Sequence, residues 1–145
     1  MSTHDEGVLD TSVIAALRLF DPAELPDKYL ITAVTLGELS HAPHATDDPV
    51  KRANRMAVLQ HVEATFDPLP YDSDAARMYG RVCAATMAAG RKVRSRAADL
   101  MIAATAAANG LPLYTANDGD LKGLQDLMGI VAVRRVSGGR LPGGE

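Results

Sequence analysis

Three acidic residues stand alone in long segments that otherwise contain no Asp, Glu, Lys or Arg. They are Asp10, Glu38 and Asp99, and the segments are residues 7–17, 29–46 and 97–117. Apart from its single carboxylate, each segment has the composition of a protein core. Because burying an unpaired carboxylate costs free energy, a fold that places these segments in its core must supply a partner for each charge.

The chain alternates between strand patterns and helix patterns. Alternation and β-forming residues predict strands at residues 7–9, 29–34, 111–115 and 130–133. Helical spacing of apolar residues predicts helices at residues 11–20, 35–41, 50–65, 72–89, 97–109 and 120–127, with a loop at 43–49. Gly90 and Gly110 are placed to end two of these helices. Strands that alternate with helices favour an α/β fold with a mostly parallel sheet.

The acidic residues follow these predicted strands. Asp10 comes directly after the first strand and Glu38 a few residues after the second, whereas Asp118 and Asp120 come just after the third. Asp99 lies in the first turn of an apolar helix, where the helix dipole favours an anion. Parallel sheets bind ligands beyond the carboxyl ends of their strands. We therefore expect these carboxylates to converge at one edge of the sheet.

Clustered carboxylates repel one another and cannot all stay ionised without a counter-charge. A hard divalent cation resolves this repulsion, and Mg²⁺ prefers oxygen ligands while keeping several of its waters. Two such ions about 3.5–4 Å apart can clamp the attacking and leaving oxygens of a phosphodiester cleavage. Since a bound metal can also generate the nucleophile from water, this chemistry requires no catalytic histidine or serine. The cluster therefore predicts a magnesium-dependent phosphodiesterase.

Length and composition indicate a single domain of residues 1–136 followed by a glycine-rich tail, residues 137–145, that we expect to be disordered. No apolar stretch is long enough to span a bilayer. The first residues are acidic and polar, unlike a signal peptide. Cys83 is the only cysteine, so no internal disulfide can form. These features favour the cytoplasm.

The charge distribution bears on nucleic-acid binding in two opposite ways. The net charge of −3 and the pI of about 5.8 count against a nucleic-acid substrate, although metal ions would cancel part of that charge. Four cations precede the Asp99 helix, at Arg91, Lys92, Arg94 and Arg96. Because cations oppose the helix dipole there, they indicate a role in binding the phosphates of a nucleic acid. A plain solvated loop is the alternative.

Taken together, four segments resemble the PIN-domain nucleases and are most like the VapC toxins of bacterial toxin–antitoxin pairs. The segments are VLDTSVIAAL, TAVTLGEL, RAADLMIAATAAANGLPLYTAND and GDL, and the likeness covers roughly residues 7–133. The acidic positions of the family motifs match Asp10, Glu38, Asp99 and Asp120. Leu121 stands where the family has Phe, and Asp118 adds an acid, so the choice of Asp120 rests on spacing.

The resemblance implies a three-layer α/β/α fold and an endoribonuclease that depends on Mg²⁺ or Mn²⁺. It also implies cleavage of a structured RNA such as tRNA or rRNA, a VapB-like antitoxin that blocks the site, and a homodimer. Asp10 and Asp99 would bind the principal metal, with Glu38 and Asp120 completing the cluster. The polar residues expected to orient these carboxylates or touch phosphate are Thr11, Ser12, Thr115, Asn117 and Asp118.

Three other functions remain open from the sequence. A phosphoacceptor domain of the receiver or haloacid-phosphatase type would have a second acid two residues after Asp10, where this chain has Ser12. A catalytically silent binding module would lose one of the acids, but all four positions are filled. An RNA-processing nuclease of the same family that is not a toxin would share every motif.

Overall fold

The computed structural model describes residues 4–136 of the chain. The predicted disordered tail, residues 137–145, lies outside the described residues. No helix within residues 4–136 is long and apolar enough to cross a membrane.

A four-stranded sheet forms the middle of the molecule, and all of its strands run parallel. The strands are β1 (Glu6–Leu9), β2 (Lys28–Leu30), β3 (Leu113–Thr115) and β4 (Ile130–Ala132), in the spatial order β2-β1-β3-β4. Val8 of β1 lies between Leu30 of β2 and Leu113 of β3. The sheet therefore places the carboxyl ends of β1 and β3 side by side, and the predicted parallel α/β fold is confirmed.

Within residues 4–136, five α-helices connect and cover these strands. They are α1 (Thr11–Ile14), α2 (Ala33–His41), α3 (Pro49–Thr65), α4 (Ser73–Ala88) and α5 (Ala97–Ala108). Each of the first four helices follows a capping residue whose side chain accepts a hydrogen bond from a backbone N–H of the first turn. These capping residues are Asp10, Thr32, Asp48 and Asp72. Helices α4 and α5 are followed by Gly90 and Gly110 at positive φ, as predicted.

The helices pack on both faces of the sheet and create two hydrophobic cores. Val8 and Leu113 face one core, which they share with Val82, Leu100 and Ile102 of α4 and α5. Leu9 and Tyr114, the next residue of each strand, face the other core, which they share with Val13, Leu39 and Val62 of α1, α2 and α3. Successive residues of a strand point to opposite faces, so this alternation divides the two cores. The result is the expected three-layer α/β/α arrangement.

The predicted helix at residues 11–20 is wrong beyond Ile14. The chain turns into a 3₁₀ segment, Leu17–Leu19, after which Phe20 pairs with Arg135 in an isolated antiparallel bridge. The backbone N–H of Val136 also donates to the carbonyl of Leu19 at 2.9 Å. This pairing joins segments that are far apart in sequence, so no local pattern could reveal it.

Other predicted elements also differ from the structure. The second strand ends at Leu30 rather than residue 34, because Ile31 bonds to Leu69 and Thr32 already caps α2. The predicted loop at 43–49 contains a 3₁₀ turn, Ala42–Ala45. The predicted helix at 120–127 is a 3₁₀ turn, Asp118–Leu121.

Candidate carboxylate site

Asp10 is held in place where β1 meets α1. Its backbone N–H donates to the carbonyl of Tyr114 in β3, and its side chain accepts from the N–H of Val13 at 3.3 Å. The Ser12 hydroxyl donates to the same Asp10 oxygen and accepts from the N–H of Ala116 at 3.2 Å. Asp10 is only 8% exposed. Contacts with Tyr114 of β3 and with Ala116 just after it therefore fix the position of this carboxylate.

Burial raises the pKa of Asp10 above its ordinary value. Hydrogen bonds from the side chains of Ser12 and Thr115 and from the backbone N–H groups of Val13 and Ser12 act in the opposite direction, but they do not cancel the loss of hydration. Asp10 is thus a buried carboxylate whose negative charge is only partly compensated by dipoles. A cation placed beside it would favour the ionised form.

Glu38 is oriented by a line of hydroxyl groups that connects α1 to α2. Thr11 Oγ1 donates to Glu38 Oε1 at 2.6 Å and is hydrogen-bonded to Thr35 Oγ1 at 3.2 Å. Thr35 is in turn bonded to Thr32, and both of these threonines are fully buried. Thr11 therefore contacts one of the acids that the sequence expects it to orient. Thr32 and Thr35 are not among the predicted residues, although each is a polar residue in an apolar segment.

Asp99 lies in the first turn of α5, where the charges of all three other predicted acids affect its pKa. Burial raises its pKa, and the negative charges of Glu38, Asp10 and Asp120 raise it further, whereas Arg96 lowers it. One carboxylate raises the pKa of another only when the two charges lie close together. The structure thus places the four predicted acids around a common region at the carboxyl edge of the sheet.

Two arginines lie beside Asp120, and a third arginine lies beside Asp118. Asp120 Oδ1 lies 3.6 Å from Arg91 Nη2 and 3.9 Å from Arg96 Nε. Asp118 Oδ1 accepts from Arg134 Nη2 at 2.8 Å. Since Asp120 is one of the charges that act on Asp99, this arrangement supports Asp120 rather than Asp118 as the fourth member of the cluster.

Some of the remaining predicted residues lie beside the acids, and the others are exposed to solvent. Thr115 is buried beside Asp10, and its Oγ1 accepts from the N–H of Asn117 at 2.9 Å. Asn117 itself is exposed. Of the four predicted RNA-binding cations, Arg91 and Arg96 face Asp120, and Lys92 and Arg94 are exposed to solvent.

The donor chemistry of this region fits a hard divalent cation. The four side chains offer only carboxylate oxygens, and burial raises the pKa values of Asp10 and Asp99, with the other three acids raising that of Asp99 further. Within residues 4–136, no three His, Cys, Asp or Glu side chains converge closely enough to form a ready-made metal-binding group. A cation would therefore have to draw these carboxylates together, which it can do because it removes their repulsion.

Comparison with known proteins assigns the chain to a family. The family model of the PIN domain matches residues 7–127. The chain is 43% identical over 120 residues to Ribonuclease VapC5 of Mycobacterium tuberculosis, a match that covers 81% of this chain and 87% of that relative. The chain therefore belongs to the PIN-domain family, and it is similar to a VapC member of it, as the sequence motifs indicate.

Solved structures support the same assignment. The crystal structure of VapBC-5 from M. tuberculosis, a member of the VapBC family of toxin–antitoxin systems, matches with a TM-score of 0.76 and 40% identity, over 90% of this chain and 98% of that chain. VapBC-1 from nontypeable Haemophilus influenzae matches with a TM-score of 0.63 over 88% of this chain and 97% of that chain. At 19% identity, this second match shows the fold alone.

Without metal, the Asp99 carboxylate should make the stability of the protein depend on pH. Folding raises the pKa of Asp99 above 3.8, so the folded protein favours the neutral carboxyl group. The stability that this preference contributes is fully present below pH 3.8 and is lost as the pH rises through the pKa of the folded state. In EDTA, Asp99→Asn should therefore unfold at a higher temperature than wild type at pH 7.5, and the difference should shrink towards pH 4. Thermal unfolding of both proteins across this range measures the effect.

Glu63→Gln is the matched control, because Glu63 is an exposed acid on α3. Its unfolding temperature should follow that of wild type throughout. An Asp99→Asn difference that stays constant from pH 4 to pH 7.5 would show that the Asp99 charge is not destabilised by folding.

Proposed function

We propose that this protein is a magnesium-dependent endoribonuclease and the toxin component of a toxin–antitoxin pair. The observation that carries the proposal is that Glu38, Asp10 and Asp120 lie near enough to Asp99, at one edge of the sheet, for their charges to raise its pKa. A cluster that destabilises its own negative charge is suited to a divalent cation. The likeness to a protein named as a ribonuclease supports RNA as the substrate class.

In this proposal, Asp10 and Asp99 bind the principal Mg²⁺, with Mn²⁺ as a possible substitute, and Glu38 and Asp120 complete the site directly or through water. When bound, the metal lowers the pKa of a water molecule and offsets charge on the scissile phosphate. Thr11 keeps the Glu38 carboxylate turned toward the site through the 2.6 Å hydrogen bond. Ser12 holds Asp10 in the same way.

The proposed substrate is a folded RNA such as tRNA or rRNA, bound mainly through its backbone. Lys92 and Arg94 are exposed beside Arg91 and Arg96, so this basic segment can meet phosphates next to the carboxylates. The chain has four Tyr, two Phe and no Trp, which is few for stacking single-stranded bases. Recognition of RNA shape and phosphates fits this surface better.

The proposed partners are a VapB-like antitoxin, which would block the site, and a second copy of the chain. The similar M. tuberculosis structure is described as a member of a toxin–antitoxin family, and this supports a protein inhibitor here. We also propose that the protein acts in the cytoplasm, where its RNA substrates would be found.

Metal dependence of RNA cleavage tests the enzymatic part of the proposal. Purified protein, freed of any partner, is incubated with a mixed pool of folded cellular RNA in Mg²⁺, in Mn²⁺ or in EDTA. We expect discrete cleavage products in either metal and none in EDTA, with activity restored when Mg²⁺ is added back in excess. Cleavage that continues unchanged in EDTA would rule out the metal mechanism.

Growth distinguishes a toxin from a housekeeping RNA-processing nuclease. Induced expression should stop bacterial growth, and co-expression of a short neighbouring reading frame that encodes a DNA-binding protein should restore it. Growth that continues at a level of active enzyme sufficient to cleave RNA in the extract would favour the processing nuclease.

A further inference from the structure

Arg91 and Arg96 approach the same oxygen of Asp120 from two points of the connection between α4 and α5. Arg91 lies in the loop after α4, and Arg96 lies in the 3₁₀ turn that leads into α5. Both guanidinium groups lie within 4 Å of Asp120 Oδ1, at 3.6 Å and 3.9 Å. Their side chains are 28% and 22% exposed, so the ion pairs are partly shielded from water. This oxygen would therefore be held by arginine at the time when a metal ion arrives.

The positive charge of Arg96 also extends to the rest of the cluster. Among the charges that act on Asp99, those of Glu38, Asp10 and Asp120 raise its pKa, whereas that of Arg96 lowers it. In the metal-free protein, Arg96 thus supplies part of the positive charge that a divalent cation would bring. A cation that enters the cluster must compete with this guanidinium for the same anions.

The hydrogen bonding of Arg96 is incomplete. Arg96 Nη1 donates to the carbonyl of Lys92 at 2.9 Å, which anchors one side of the group. Arg96 Nε is buried and has no hydrogen-bond partner within residues 4–136, because its 3.9 Å separation from Asp120 is too long. A buried donor left in this state costs free energy. The pairing with Asp120 is therefore close enough to hold the carboxylate but loose enough to be exchanged.

We propose that Arg91 and Arg96 are positioning residues that hold Asp120 back from the carboxylate cluster, so that a divalent cation must take Asp120 from them in order to bind. The inference rests on the proposed metal site and adds a regulator of its affinity. The two arginines weaken metal binding because they compete for Asp120. Their guanidinium groups become free to contact phosphate only after the metal has bound. RNA phosphates would then meet free guanidinium groups only in the metal-loaded site.

Mn²⁺ affinity in the absence of RNA tests this inference. Titration of the purified protein with Mn²⁺, followed by the electron paramagnetic resonance signal of the free ion, gives a dissociation constant without any cleavage assay. Arg96→Gln should bind Mn²⁺ roughly two- to fivefold more tightly than wild type, because a partly exposed ion pair no longer competes. Arg96→Lys keeps the charge and should bind as wild type does. Arg134→Gln, which breaks only the pair with Asp118, controls for the loss of a nearby positive charge and should leave the affinity unchanged.

A double-mutant cycle shows whether the effect passes through Asp120. In an Asp120→Asn background, most of the gain from Arg96→Gln should disappear, because there is no carboxylate left to release. A gain that persists in full in this background, or an equal gain in Arg134→Gln, would overturn the inference. Either result would mean that general charge, and not the hold on Asp120, sets the affinity.

The same titration separates failure of this inference from failure of the proposed function. If wild type binds no Mn²⁺, or binds it equally well after Asp99→Asn, the proposed metal site is wrong and this inference falls with it. If wild type binds Mn²⁺ through Asp99 and Arg96→Gln does not tighten the binding, only the role of the arginines is wrong. Thermal unfolding of each variant confirms that it is folded.

Discussion

Asp99→Asn should abolish RNA cleavage in Mg²⁺ while leaving the fold intact. Asp99 is the carboxylate whose pKa responds to all three of the other acids, so it lies where their fields overlap. Removing its charge takes away a metal ligand in the proposed site. The rate should fall at least about a hundredfold, the upper end of the range for groups that merely orient metal ligands. Initial cleavage rates at saturating Mg²⁺ measure this loss.

Two comparisons keep this result interpretable. Asn nearly preserves the shape of Asp, and α5 around it is packed by fully buried residues such as Leu100 and Ile102, so the variant should remain folded. Asp74→Asn changes an exposed acid on α4 and should cleave at the wild-type rate. Wild-type cleavage by Asp99→Asn would show that Asp99 is not a required ligand, and the proposed mechanism would then be wrong.

Gly7→Ala should destabilise the protein by roughly 2 kcal/mol, because the core beside β1 has no room for a methyl group. A Cβ atom at Gly7 would lie 2.5 Å from Cε1 and 2.8 Å from Cδ1 of Tyr114, and 3.1 Å from Cγ of Pro26. The Tyr114 ring is buried and cannot swing aside as the end of a flexible side chain would. Urea denaturation of wild type and variant measures the difference in the free energy of unfolding.

Gly80→Ala is the matched control for this substitution. Gly80 lies within α4, and nothing comes within 4 Å of a Cβ atom placed there. Alanine favours a helix interior over glycine, so Gly80→Ala should stabilise the protein by up to about 1 kcal/mol. If both alanine variants change the free energy of unfolding in the same direction, close packing of Tyr114 on Gly7 does not explain the effect of Gly7→Ala.

The sequence by itself predicted the class of the fold and indicated four acids as a candidate site. Strand and helix patterns have periods of about 2 and 3.6 residues, so they can be recognised from near neighbours in the sequence. Their alternation along the chain predicts a parallel sheet. Gly90 and Gly110 end helices for an equally local reason, the positive φ that each adopts. Asp99 was identifiable because a lone carboxylate in an apolar helix requires compensation.

Only the tertiary structure decided how those acids are held. The hydroxyl line from Thr32 through Thr35 to Thr11 joins two helices, and its residues are 21 and 24 positions apart from Thr11, a separation that sequence spacing does not encode. The hold of Arg91 and Arg96 on Asp120 likewise brings together segments on either side of α5. A charged side chain finds its partner through the packing of whole elements, whereas a helix or strand pattern depends only on near neighbours. The chain's local chemistry thus indicates which residues are candidates for the site, whereas the packing of its elements determines which of these side chains contact one another.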